Sequence, residues 1–88
     1  MTGLALSDEL TIVTAAETRE RLMPYLVGGA DLELDLSAVS DIDTAGLQLL
    51  LMARQEAERR GVTVTLTDPS PVVRDLLTFT RLTGELGL

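Results

Sequence analysis

The chain contains no cysteine, no histidine and no lysine, and its only aromatic residues are Tyr25 and Phe79. Without cysteine and histidine it has no disulfide scaffold, no thiolate nucleophile, no Ser-His-Asp triad and no Cys/His zinc site. Without lysine it has neither a P-loop lysine nor a Schiff base. We therefore expect a protein that is not an enzyme and that holds no metal ion and no cofactor.

Positive charge is also scarce, since seven arginines face fourteen acidic residues and the net charge is −7. A chain of this charge is repelled by phosphate backbones, which argues against nucleic acid as a partner. No apolar run approaches 18 residues and the N-terminus has no signal-peptide pattern, so we expect a cytoplasmic protein without membrane insertion. The 88 residues, 45% of them hydrophobic, predict one small domain over residues 1–88 with an aliphatic core.

The order of apolar patterns predicts the elements β-β-α-β-α-β-α. Strands are expected at residues 2–7 and 9–14, joined as a hairpin by a turn at Ser7-Asp8. A capping box, Thr14-Ala15-Ala16-Glu17, predicts a helix that ends at Gly28. Further along, strands are predicted at residues 30–36 and 62–66, and helices at residues 45–60 and 72–82.

This order of elements defines an α/β fold. Strands joined through helices pair in parallel with right-handed crossovers, whereas the opening hairpin adds an antiparallel pair. In residues 30–36, leucines alternate strictly with acids, which indicates one buried and one solvated sheet face. We therefore expect a mixed sheet with the helices mainly on one face.

The most distinctive segment is Leu34 to Leu51, in which a strand is followed by Asp43-Thr44-Ala45-Gly46 and then by a helix. Thr44 lies at or beside the helix N-terminus, where free N–H groups and the positive end of the helix dipole are found. Small residues at positions 45 and 46 leave room for another protein to approach the hydroxyl. Two interpretations stay open: Asp43 or Thr44 simply caps the helix, or the Thr44 hydroxyl is presented to a partner.

The start of this helix is apolar around nearly its whole circumference, with Gln48 as the only polar residue between Ala45 and Ala53. A helix lying on a sheet needs only one apolar stripe. The additional leucines are therefore either covered by the neighbouring helices or exposed as an interaction surface beside Thr44.

These motifs together resemble the signature of STAS domains, the family of anti-sigma factor antagonists and their relatives. The resemblance rests on Leu34-Asp35-Leu36-Ser37, on Ile42-Asp43-Thr44-Ala45-Gly46-Leu47, and on flanking matches at residues 9–15 and 68–77. It extends over essentially the whole chain. The STAS-like fold that it implies is a mixed sheet with helices on one side.

The resemblance implies a regulatory role in which Thr44 is phosphorylated by a partner anti-sigma factor that is also a serine/threonine kinase. The unphosphorylated form would bind that partner through Asp43, Thr44, Ala45 and Gly46, with apolar contacts from Leu47 and Leu51. Two other roles for STAS proteins stay open. One is an accessory subunit of a Mla-type phospholipid-transport ABC ATPase, and the other is a component of a chemotaxis signalling cluster.

Overall fold

A computed structural model describes residues 2–82 and 84–88 of the chain. Strands and helices alternate strictly along it. In order they are β1 (Thr2–Leu10), α1 (Ala15–Val27), β2 (Leu32–Ile42), α2 (Thr44–Arg59), β3 (Val64–Thr67) and α3 (Pro71–Thr80). Among these residues, no helix has both the length and the apolar character needed to cross a membrane.

The sheet has three strands in the order β1-β2-β3, and both pairs of neighbours are parallel. The expected opening hairpin, and with it the mixed sheet, is therefore wrong. Ser7 and Asp8 do not form a turn; they pair with Ala38 and Val39 of β2 through a shift in register. The reason is that β2 continues through the predicted link at residues 37–40, so the second half of β1 pairs with β2.

One face of the sheet is buried and the other is open to solvent, as the alternation of residues 30–36 predicts. In β2, Leu32, Leu34 and Leu36 are completely buried, whereas Glu33 is exposed and Asp35 is half-exposed on the opposite face. The helices cover the apolar face, with α1 packed against α2 and α3 packed against β2. An α/β fold with its helices on one face is therefore confirmed.

Helix α1 begins where the sequence predicts, but the capping box that predicted it does not form. The Thr14 side chain makes no cap hydrogen bond. Its hydroxyl instead accepts from the Thr11 N–H at 3.1 Å and donates to the Glu9 carbonyl at 2.9 Å. Thr14 therefore shapes the loop between β1 and α1, in the way that threonine hydroxyls form local turns.

Candidate functional site

The site is built around the Asp43 carboxylate, at the junction of β2 and α2. Asp43 has an extended backbone and is the N-cap of α2, with Oδ1 accepting from the Gly46 N–H at 3.0 Å. Its second oxygen, Oδ2, accepts from the Ile12 N–H in the β1–α1 loop, also at 3.0 Å. One carboxylate therefore fixes both the first turn of α2 and the position of a loop 31 residues earlier in the chain.

These hydrogen bonds lower the pKa of Asp43 from its ordinary value. The Ile12 N–H has the largest effect and the Gly46 N–H the next, because both stabilise the ionised carboxylate. Asp43 is therefore an anion at neutral pH, and its negative charge lies at the positive end of the α2 dipole.

Thr44 is the first residue of α2, and its side chain is exposed. Its hydroxyl takes part in no hydrogen bond within residues 2–82 and 84–88. The helix is capped by Asp43 and not by Thr44, so Thr44 has no capping role. The hydroxyl is accessible at the end of the helix.

Gly46 has a role that differs from the expected one. Its backbone packs so closely against the end of β1 that an added Cβ would lie 2.0 Å from the Leu10 carbonyl oxygen and 2.8 Å from its carbon. Gly46 is also buried. The missing side chain therefore admits the protein's own backbone rather than leaving room for a partner.

The remaining residues of the expected contact surface lie in different environments. Ala45 is half-exposed and borders a shallow groove of about 300 Å³ between α1 and α2. Leu47 is only 3% exposed and belongs to the core, so its side chain is inaccessible to a partner. Leu51 is half-buried and lies about two turns after Thr44 along α2. The neighbouring elements thus cover most of the leucine-rich helix start, including Leu49 and Leu50.

The sequence did not indicate two further functional candidates, Ile12 and Val13, which we call the apolar tip. Their exposed fractions are 73% and 80%. The sequence pattern placed them in a strand, because the loop between β1 and α1 has no glycine or proline to mark it. The sequence feature that could have indicated this loop is the pair of threonines, Thr11 and Thr14, whose side chains close the turn around the tip.

The acidic residues of β2 and the segment before it do not form a metal site. The Asp31 carboxylate accepts from the Thr63 N–H, and that of Asp35 accepts from the Ser37 N–H, both at 2.9 Å. The Ser37 contact lowers the pKa of Asp35. Over the described residues, no three carboxylates come close enough together to hold a metal ion.

Comparison with known proteins places the chain in a family. The family model of the STAS domain matches residues 2–87, and the chain therefore belongs to the STAS domain family. Among curated proteins, no sequence relative is found.

Solved structures show the same fold. A putative anti-sigma factor antagonist from Thermotoga maritima has a TM-score of 0.78 at 23% identity, covering 93% of this chain and 74% of that one. The unphosphorylated form of the anti-sigma factor antagonist SpoIIAA has a TM-score of 0.74 at 22% identity, covering 93% and 73%. The phosphorylated form of the Bacillus cell fate determinant SpoIIAA has a TM-score of 0.69 at 23% identity, covering 96% and 77%.

Proposed function

We propose that this protein is a non-enzymatic switch of the anti-sigma factor antagonist type, acting in the cytoplasm. In its unphosphorylated form it binds an anti-sigma factor that is also a serine/threonine kinase, and phosphorylation of Thr44 ends the binding. The observation that carries the proposal is the exposed Thr44 hydroxyl at the start of α2, which is free because Asp43 caps the helix. Solved relatives of this fold in phosphorylated and unphosphorylated forms support it.

The site residues have different roles. Thr44 accepts the phosphate, and Asp43 orients the loop and the helix start around it. Ala45 contributes to the contact surface, with Leu51 at its margin. Gly46 and Leu47 act from inside the protein, where they hold α2 against the end of β1 and the core.

Phosphorylation adds a charge of about −1.5 to −2 at Thr44. The helix N-terminus stabilises a negative charge at this position, which offsets the repulsion from Asp43 and Asp41. We therefore expect the phosphorylated protein to stay folded. Stripping the water from the dianion in a close, largely apolar protein contact is far more costly. A loss of about 3–4 kcal/mol there weakens binding by several hundredfold, which is sufficient for a switch without refolding.

The test uses purified anti-sigma factor kinases from the source organism. One of them should bind the wild-type protein, transfer phosphate from ATP to it, and fail to modify Thr44→Ala. Thr44→Glu should keep the wild-type thermal unfolding midpoint but bind at least about a hundredfold more weakly. Equal binding by the wild type and Thr44→Glu would rule out the switch.

One observation favours the alternative role in a lipid-transport ABC ATPase, namely that residue 44 is threonine rather than serine. The leucine-rich start of α2 would favour this role only if its leucines were accessible to the ATPase, but Leu47, Leu49 and Leu50 are buried. This alternative predicts stable co-purification with an ATPase and no phosphate on Thr44. Mass spectrometry of the protein from its native cells distinguishes the two roles, and a chemotaxis role would show in co-purified receptor components.

A further inference from the structure

We infer that the apolar tip, Ile12 and Val13, is the anchor by which the protein docks on its partner, and that the partner offers an apolar pocket with a basic rim. The inference rests on the proposed function and extends it to a second segment of the chain. It assigns the main apolar contact to the β1–α1 loop rather than to the leucines of α2.

The first argument is exposure. The tip consists of two large aliphatic side chains that are adjacent in the chain and exposed by 73% and 80%. Among residues 2–82 and 84–88, the other strongly exposed large apolar residues are Val27 and Phe79, which are separate from one another in the chain. Single exposed apolar residues are ordinary on protein surfaces, whereas adjacent ones form a patch that marks an interaction site.

The second argument is rigidity. The Ile12 N–H donates to Asp43 Oδ2 at 3.0 Å, and the Val13 N–H donates to the Thr11 hydroxyl at 3.3 Å. The turn is closed by the Thr14 N–H, which donates to the Thr11 carbonyl at 3.0 Å, and Thr11 itself is buried. A loop held in this way loses little conformational entropy on binding, which is the advantage of a preorganised contact.

The third argument is continuity with Thr44. The carboxylate that holds the Ile12 N–H belongs to Asp43, the residue directly before Thr44. The groove between α1 and α2, lined by Ala15, Ala16, Ala45 and Met52 among others, extends the same end of the protein. A partner close to the Thr44 hydroxyl therefore meets the apolar tip as well.

The fourth argument is charge, which selects the kind of partner. Glu9 and Asp41 are register partners in the sheet, next to Asp8 and close in sequence to Asp43. Arg21 lines the depression that also contains Asp8, Glu9 and Glu17, and Arg19 lines the groove between α1 and α2. Acids therefore outnumber cations at this end of the protein. Within residues 2–82 and 84–88, both ion pairs lie at the opposite end of α2, where Glu56 contacts two arginines.

An acidic rim around an apolar contact favours a partner surface with the opposite charge. A second copy of this chain would bring the same acids together, and its net charge of −7 adds to the repulsion. An anionic lipid surface is disfavoured for the same reason. The partner that fits is therefore a protein with arginine or lysine around an apolar pocket.

The experiment places a photo-crosslinking amino acid, benzoylphenylalanine, at Val13, Thr44 or Thr65 of the full chain in cells of the source organism. Thr65 is exposed on the open face of the sheet and serves as the control position. The captured protein is then purified and titrated with Ile12→Ser and Val13→Ser. Matched controls are Val27→Ser and Phe79→Ser, which make similar apolar-to-serine changes at exposed sites away from the tip.

We expect Val13 and Thr44 to capture the same protein and Thr65 not to capture it. Each tip variant should bind the purified partner at least about tenfold more weakly, and each control variant within about twofold of the wild type. Binding should also weaken as salt is raised, since the rim charges are exposed. All four variants should keep the wild-type unfolding midpoint, because the substituted side chains are exposed.

The outcomes separate the two hypotheses. Capture from Thr44 but not from Val13, or wild-type affinity in both tip variants, overturns the anchor and leaves the proposed function in place. Capture from Val13 alone, together with weaker binding of the purified partner by both tip variants, overturns the role of Thr44 and keeps the anchor. If neither position captures more than Thr65 does, both hypotheses fail.

Discussion

The substitution Gly46→Ala gives a sharp test of how the site is assembled. In an ordinary helix, replacing glycine with alanine stabilises the protein by about 0.5–1 kcal/mol, because it reduces the freedom of the unfolded chain. At position 46 the new methyl group would lie 2.0 Å from the Leu10 carbonyl oxygen. That is about 1.4 Å short of an ordinary van der Waals contact, and the obstacle is backbone, which cannot rotate away.

The magnitude follows from these two opposing effects. Inserting a methyl group into a closely packed site typically costs about 1–3 kcal/mol, and a clash with backbone belongs at the upper end. After subtracting a gain of about 1 kcal/mol from helix propensity, we expect Gly46→Ala to destabilise the fold by about 2 kcal/mol. For a domain of this size, that lowers the unfolding midpoint by about 8–16 °C.

The assay is thermal unfolding followed by circular dichroism, with Gly3→Ala as the matched control. Gly3 lies in β1 with no atom within 4 Å of an added Cβ, so this variant should be as stable as the wild type or slightly more stable. If Gly46→Ala is as stable as Gly3→Ala, the close approach of α2 to the end of β1 is refuted. If it is stable but fails to bind a partner, glycine was serving the partner's approach instead.

Three further predictions test other features of the structure. Two backbone N–H groups hold the pKa of Asp43 below its usual value, so its stabilising effect is present above about pH 4 and is lost as the pH falls through the folded-state pKa. Asp43→Asn should therefore lower stability at pH 7 and reduce its loss toward pH 3 in urea titrations, and an unchanged pH dependence in this variant would refute the role of the carboxylate. Leu34→Ala should lower the free energy of unfolding by about 2–5 kcal/mol and Glu33→Ala by less than about 0.5 kcal/mol, since these neighbours lie on opposite faces of β2. Equal effects in urea titrations would contradict a sheet that is buried on one face only. Ser70→Ala should leave the unfolding free energy unchanged or raise it in urea titrations, rather than lower it by about 1 kcal/mol as at an ordinary N-cap, because the buried hydroxyl has no partner among the described residues.

Local patterns predicted the three helices and the first half of the central strand, whereas residues 37–42 of that strand were missed. The alternation of leucine and acid before Ser37 and the proline at the start of α3 act within a few residues, so the sequence reveals them directly. The start of α2 was also located, but the structure was needed to choose Asp43 over Thr44 as its cap. The opening hairpin was wrong because Ser7-Asp8 has the composition of a turn. Asp8 does adopt a positive φ of 62°, but pairing with β2 keeps the strand continuous.

The site could be located from the sequence, whereas its internal geometry could not. The motif at the start of α2 indicates where the exposed Thr44 hydroxyl lies. The contacts of Asp43 with Ile12 and of Gly46 with Leu10 join segments that are more than 30 residues apart, and no local pattern encodes them. The sequence therefore suggested that the missing side chain of Gly46 makes room for a partner, whereas it makes room for the end of β1.

The hydrogen bond between Ile12 and Asp43 also ties the apolar tip to the folded state. It joins residues 31 positions apart, at the end of the sheet where Leu10 pairs with Ile42. Closing a chain segment of that length costs conformational entropy, which the pairing of the two strands offsets. Ile12 and Val13 therefore keep their fixed arrangement only while β1 and β2 are paired, so a protein that recognises this arrangement would distinguish folded copies from unfolded ones.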